Sequence, residues 1–198
     1  EAAQPDDDHG NGTHVAGIAA AETNNAAGIA GIAWQARIMP VKVLDSSARG
    51  DPAVAARGVV WAVDNGATII NLGLTTPDPS DALSTAVDYA YDHGVVVVAP
   101  VANNGVSEQS YPAAYPHVIA VAATDRSDQR LPTSDTGGYI SVAAPGERIA
   151  STFRGPGGND TYAVASSTAQ AAAHVTGVAA LILAINPTLT PDNVRLIL

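Results

Sequence analysis

Short runs of apolar residues alternate along the chain with longer stretches in which apolar residues have helical spacing. The apolar runs predict buried strands at residues 37–44, 67–74, 95–99, 118–122 and 139–144. The helical spacing predicts helices at residues 53–65, 80–92 and 167–184, and a last helix after Thr190. Near-continuous apolar strands that alternate with helices are typical of a parallel sheet covered on both faces. The pattern therefore predicts an α/β fold with three layers, a doubly wound and mostly parallel sheet flanked by helices.

Residues with special conformations mark where these elements end. Gly66 is a natural stop for the first helix, and Ser80 is a natural N-cap for the second. Residues 151–161 are rich in Gly, Pro and Asn, which predicts a loop. The helix at 167–184 is apolar on every side and rich in Ala and Gly, so we expect it in the middle of the domain.

Composition excludes several classes of function. The 198 residues include 19 acidic and 9 basic side chains, giving a formal net charge of −10, and the single Lys is Lys42. Such a chain would be repelled by a phosphate backbone, so we expect no nucleic-acid partner. No uninterrupted apolar run has the roughly 18 to 20 residues of a membrane span, so we expect no membrane either. Zero Cys excludes disulfides, thiolate metal sites and cysteine nucleophiles.

Five segments carry a resemblance to a known family. They read Asn-Gly-Thr-His-Val-Ala-Gly at 11–17, Ile-Asn-Leu-Gly-Leu at 70–74, Ala-Asn-Asn-Gly at 102–105, Tyr-Pro-Ala-Ala-Tyr-Pro at 111–116 and Thr-Ala-Gln-Ala-Ala-Ala-His-Val-Thr-Gly at 168–177. In this order they resemble the His block, the substrate strand, the oxyanion segment, a cis-proline turn and the nucleophile helix of the subtilisin-like serine peptidases. The resemblance implies one peptidase domain over residues 1–198, shortened at both ends and lacking the N-terminal strands.

The same resemblance implies that the catalytic positions are substituted. Such a peptidase uses a Ser nucleophile, a His base and an Asp that orients the His. The family's His position falls on Asn11 and its Ser position on Ala169, while the strand with the Asp would precede this chain. Neither an amide nor a methyl group performs the chemistry of the residue it replaces. Asn103 and the backbone N–H of Ala169 would still offer two donors to a carbonyl oxygen. The resemblance thus implies a peptidase domain disabled in this chain.

Two alternatives stay open at this stage. One is an active hydrolase with relocated groups, in which Ser166 or Ser167 acts with His9 and one of the acidic residues 6–8. The other is an engineered, non-catalytic scaffold. We expect the acidic residues to be solvated loop charges, and the family resemblance implies that His14 is a core histidine.

The resemblance also implies ligands. Gly73, Leu74 and Thr75, with Ala102, would line a groove for an extended peptide added as a strand. A loop would bind calcium through the Asn25 side chain and the carbonyls of three further residues, Thr23, Ala27 and Ile29. A second polypeptide would supply the missing N-terminal strand. The family habit implies secretion.

Overall fold

The computed structural model describes residues 6–198 of the chain. The helices are Asn11–Ala20 (α1), Pro52–Asp64 (α2), Asp81–Asp92 (α3), Thr168–Ile185 (α4) and Pro191–Ile197 (α5). The strands are Ile69–Asn71 (β1), Val96–Pro100 (β2), Val118–Thr124 (β3), Val142–Pro145 (β4), Ile149–Arg154 (β5) and Asp160–Ala165 (β6).

Strands β1 to β4 form one parallel sheet in the order β1-β2-β3-β4. Alternate residues of β2 serve its two faces: Val97 and Ala99 belong to the core under α2 and α3, while Val96 and Val98 belong to the core under α4. Strand β2 is buried along its whole length, as a central strand of a covered sheet must be. The three-layer α/β prediction is confirmed.

The predicted helix ends agree with the structure. Gly66 follows α2 with a left-handed φ of 85°, which glycine adopts without strain. Ser80 caps α3 by accepting a hydrogen bond from the Leu83 N–H at 3.4 Å. The peptide bond Tyr111-Pro112 is cis, as the family resemblance implies.

Two predictions about secondary structure are wrong. Residues 37–44 form no strand and are largely exposed, with Ile38 half exposed, because no neighbouring strand pairs with them. Residues 151–161, predicted as a loop, instead contain the end of β5, a turn and the start of β6, and this antiparallel hairpin packs on α1. Its Gly- and Pro-rich composition belongs to the turn around residues 155–159, and the flanking strands lie on either side of it.

Helix α4 has the length and composition of a membrane-crossing helix, with 18 residues and a mean hydropathy of 1.6. The helix meets this criterion of length and mean hydropathy although its sequence contains no uninterrupted apolar run of that length. Its N-terminal half is buried against the sheet and α1, and core helices of soluble proteins have the same properties.

The outer edge of β1 faces a wide apolar cavity. Among residues 6–198, only β2 pairs with β1. The Leu72 N–H and the Thr68 carbonyl bond to β2, so by alternation the N–H groups of Ile69 and Asn71 point away from it. A cavity of about 2340 Å³ lies there, bounded by α1, the segment 36–44, α2, β1 and α4. The unpaired edge of β1 therefore presents free backbone groups to this cavity.

Candidate active site

The structure brings the expected catalytic and substrate positions to one cavity. Asn11 is the first residue of α1, Ala169 is the second residue of α4, and Asn103 lies in the loop after β2. All three line the cavity beside β1, together with the strand extension at 73–75. Ala102 is different, since it is buried beneath the loop and its N–H donates to the Ser110 hydroxyl. The fold thus brings Asn11, Asn103 and Ala169 to one cavity although they are far apart in sequence.

Thr168 holds the Asn103 side chain from two sides. The Asn103 Nδ2 donates to the Thr168 hydroxyl at 2.9 Å, and the Asn103 Oδ1 accepts from the Thr168 N–H at 3.0 Å. The Thr168 hydroxyl donates to the Val101 carbonyl at 2.6 Å. The amide that the resemblance assigns to a substrate carbonyl is therefore bound within the chain.

The backbone N–H of Ala169 has an internal acceptor as well. It donates to the Ser167 hydroxyl oxygen at 3.1 Å, in the usual manner of a helix N-cap. The Ser167 hydroxyl in turn donates to Gln170 Oε1 at 2.7 Å. The Ala169 N–H and one of the two Asn103 side-chain N–H groups, the expected oxyanion donors, thus bind protein acceptors in this structure.

A buried histidine continues this chain of hydrogen bonds. His14 is 1% exposed, and its Nε2 donates to the Ala163 carbonyl at 3.2 Å. Because a carbonyl oxygen only accepts, the proton is on Nε2, and Nδ1 accepts from Gln170 Nε2 at 3.3 Å. His14 is thus a satisfied core residue, as expected from the sequence. The role of Gln170 was not expected, although a buried amide in an otherwise apolar helix is a signal of such a role.

The strand extension after β1 offers free backbone donors to the cavity. The Leu74 N–H bonds to the Leu72 carbonyl at 2.8 Å. Among the hydrogen bonds of residues 6–198, none uses the N–H of Gly73 or Thr75, and both residues are exposed. Free N–H groups that line the cavity are the donors with which the carbonyl groups of an added peptide can pair.

Asp7 has a structural role at the start of α1. Its carboxylate accepts from the N–H groups of His9, Gly10 and Thr13 and from the Thr13 hydroxyl, at 2.6–3.2 Å. Partial burial raises the pKa of Asp7, but these hydrogen bonds together outweigh it and hold the pKa below 3.8. Asp7 is therefore more than a solvated loop charge.

The other groups proposed for a relocated active site, Asp6, Asp8 and Ser166, each bind a different partner. Asp6 pairs with Arg154, and Asp8 pairs with Lys42. The Ser166 hydroxyl accepts from the Arg148 N–H at 2.8 Å. No hydrogen bond within the described part of the chain joins a histidine to Ser166 or Ser167.

Asp135 fixes the loop that carries Asn103, a role that no pattern in the sequence indicated. Its carboxylate is buried, with the residue 1% exposed, and it accepts from the N–H groups of Asn104 and Val106 at 2.8 and 3.2 Å. Its own N–H donates to the Ala102 carbonyl. Asp135 thus ties both ends of this loop to the segment after β3.

The expected calcium ligands lie in one loop. Residues 23–30 surround a small cavity of about 270 Å³. The Asn25 Oδ1 already accepts from the Ala27 N–H at 3.1 Å. No cluster of three His, Asp or Glu side chains suited to a metal occurs in residues 6–198. Calcium favours about six to eight oxygen ligands that include carboxylates, and the expected ligands in this loop are neutral carbonyl and amide oxygens.

Comparison with known proteins agrees with this geometry. A profile of the Subtilase family (Peptidase_S8) matches residues 1–198. The chain is 46% identical over 178 residues to "Thermitase" of Thermoactinomyces vulgaris, covering 90% of this chain and 62% of that protein. It is 42% identical over 189 residues to "Subtilisin BL" of Lederbergia lenta, covering 96% of this chain and 68% of the relative. The chain therefore spans less than two thirds of the length of thermitase.

Solved structures give the same result. A protease from Pseudoalteromonas arctica PAMC 21717 superimposes with a TM-score of 0.91 at 34% identity, covering 95% of this chain and 62% of that one. "Sphericase" superimposes with a TM-score of 0.89 at 33% identity, covering 100% of this chain and 72% of that one. By sequence, fold and the position of its candidate site, this chain belongs to the subtilase family of serine peptidases.

Proposed function

We propose that residues 1–198 form a single subtilisin-like endopeptidase domain that is catalytically disabled and retains the ability to bind extended peptides. One observation carries the first part. The cavity side chains at the expected base and nucleophile positions are the Asn11 amide and the Ala169 methyl group. An amide has no useful proton affinity near neutral pH, and a methyl group cannot attack a carbonyl.

Two further functional hypotheses are weaker. The relocated hydrolase needs Ser166 or Ser167 beside His9, and the hydrogen bonds of both serines lead elsewhere. The second hypothesis, a non-catalytic scaffold without a ligand, predicts that the chain binds no peptide. The free N–H groups of Gly73 and Thr75 favour the peptide-binding domain over the scaffold.

Peptide binding and turnover are tested with the same sample. We expect an N-acetylated, C-amidated peptide of small residues to shift the amide NMR signals of Gly73 and Thr75 and to remain uncleaved. Thr75→Pro removes one free donor without breaking an internal hydrogen bond, so it should weaken binding. Thr75→Ser is the matched control and should bind like the parent chain. Equal binding by all three chains, or cleavage of the peptide, would overturn the proposal.

We also infer that the outer edge of β1 accepts a strand from another segment or a second polypeptide. The outward N–H groups of Ile69 and Asn71 and the apolar cavity beside them support this partner. The strand would run parallel to β1, in keeping with the rest of the sheet.

Calcium binding and secretion complete the proposal. We propose that the loop at 23–29 binds calcium weakly, because its donors are carbonyls and an amide already used in a turn. Membership of the subtilase family supports secretion to the extracellular medium. The proposed peptide binding does not depend on secretion.

A further inference from the structure

Ser167 occupies the place where a ligand's carbonyl oxygen would bind. Its hydroxyl oxygen lies 3.1 Å from the backbone nitrogen of Ala169, at the first turn of α4. A peptide carbonyl that approached this N–H from the cavity would compete with the Ser167 hydroxyl for the same hydrogen, because a hydrogen bond weakens steeply as it bends away from a straight N–H···O line.

The orientation of the Ser167 side chain is held by buried groups. Its hydroxyl proton goes to Gln170 Oε1 at 2.7 Å, and the opposite end of that amide donates to His14. Gln170 is 3% exposed and His14 is 1% exposed, so water does not replace these partners readily. Each of the three hydrogen bonds from Ser167 to the Ala163 carbonyl joins one donor to one acceptor, which fixes the direction of the series.

We propose that Ser167 is a specificity-determining residue that competes with ligand carbonyl oxygens for the Ala169 N–H, and that Gln170 holds it in this position. The inference rests on the proposed peptide-binding function. A ligand must displace the Ser167 hydroxyl before it can bind the Ala169 N–H. The internal hydrogen bond therefore weakens the binding of peptides that place a carbonyl oxygen there. Residues that merely line the groove would have no such effect.

The Ser167→Gly variant separates competition with the ligand from a role in helix capping alone. Ser167→Gly removes the hydroxyl and costs little as a helix cap, since Gly is itself an acceptable N-cap. If Ser167 only caps α4, the variant is slightly less stable and binds peptide no better. If Ser167 competes with the ligand, the variant binds more tightly although it is less stable. The sign of the change in affinity separates the two roles.

The experiment compares three variants with the parent chain. Ser167→Gly removes the competing hydroxyl, and Gln170→Met removes the acceptor that holds it. Ser80→Gly removes a similar N-cap at a residue that does not line the cavity. The probe is the N-acetylated, C-amidated peptide of small residues, measured by calorimetry. We expect Ser167→Gly to bind up to about tenfold more tightly, since one net hydrogen bond corresponds to about a factor of ten. Gln170→Met should change in the same direction by less, and Ser80→Gly should not change.

Amide hydrogen exchange supplies a readout that needs no peptide. The Ala169 amide should be protected in the parent chain and should exchange faster in Gln170→Met, where the Ser167 hydroxyl has lost its acceptor. Unchanged or weaker peptide binding by Ser167→Gly would overturn the inference. If no variant binds peptide, the proposed function fails. The Ala169 amide then decides only whether Gln170 holds Ser167 in place. Faster exchange in Gln170→Met supports that part, and the parent rate overturns it.

Discussion

The Asp7 carboxylate is the principal cap of α1, and its removal gives a quantitative test of this structure. The N-cap residue of α1 is Gly10, which has no side chain with which to accept a hydrogen bond. Asp7 supplies the acceptor instead, taking the N–H of Thr13 at 2.6 Å and the N–H of Gly10 at 2.7 Å. The perturbation is Asp7→Asn, which keeps the size of the side chain and removes its charge.

The magnitude follows from the hydrogen bonds lost. Loss of an N-cap acceptor costs about 0.5–2 kcal/mol. A carboxylate near a helix N-terminus adds about 0.3–1 kcal/mol, and partial exposure of Asp7 puts this contribution at the low end. An Asn amide can still accept on one side but places an NH₂ donor against N–H donors on the other. We therefore expect Asp7→Asn to lower the free energy of unfolding by about 1 kcal/mol.

The pH dependence identifies the cause. Folding lowers the pKa of Asp7 below 3.8, so its contribution is complete above that pH and is lost as the pH falls through the lower folded-state pKa. The difference between the variant and the parent chain in urea unfolding should be full near neutral pH and should shrink on acidification below 3.8. Asp8→Asn is the control, because Asp8 only pairs with Lys42 at the surface, with both side chains more than a third exposed. A difference that is absent at neutral pH, or that persists unchanged in acid, would refute this role of Asp7.

Three further predictions test other parts of the structure. The two outward-facing amides of β1 should exchange with deuterium much faster than the inward amide between them, and equal protection would mean that another segment already pairs with this edge. Asp135→Ala removes a buried carboxylate and leaves the N–H groups of two part-buried hydrogen bonds without their acceptor, so it should cost about 1–3 kcal/mol in urea unfolding. The control Asp125→Ala removes a similar pair of hydrogen bonds at an exposed turn and should cost less than half as much, and equal costs would contradict the burial argument. Millimolar calcium should raise the melting temperature only slightly, and a large, saturable rise at micromolar calcium would show that the loop at 23–29 is a complete site.

Local signals in the sequence predicted most helices and the central strands correctly. Ser80 and Gly66 mark helix ends through their own hydrogen bonding and backbone conformation, so they act independently of the rest of the fold. Residues 37–44 carry an equally clear apolar pattern, but a strand also needs a neighbour, and none of the described residues pairs with them. The hairpin β5–β6 was missed because the composition of its turn dominated the pattern.

The candidate site was predictable in its positions but not in its hydrogen bonds. The family resemblance implies that Asn103 and Ala169 lie together, and both line one cavity in the structure. Their partners come from contacts between distant segments, such as Gln170 with His14 or Asp135 with the loop after β2. Each of these contacts depends on how elements pack, and no local pattern in the sequence specifies that packing.

The central claim, a subtilase domain without a working nucleophile, is tested most directly with a fluorophosphonate probe. This reagent labels a serine that is activated by a base beside oxyanion donors. We expect no adduct on Ser166, Ser167 or any other residue, under conditions that fully label an active subtilase, as read by peptide mass spectrometry. A stoichiometric adduct on Ser166 or Ser167 would contradict the account and establish the chain as a hydrolase with relocated catalytic groups.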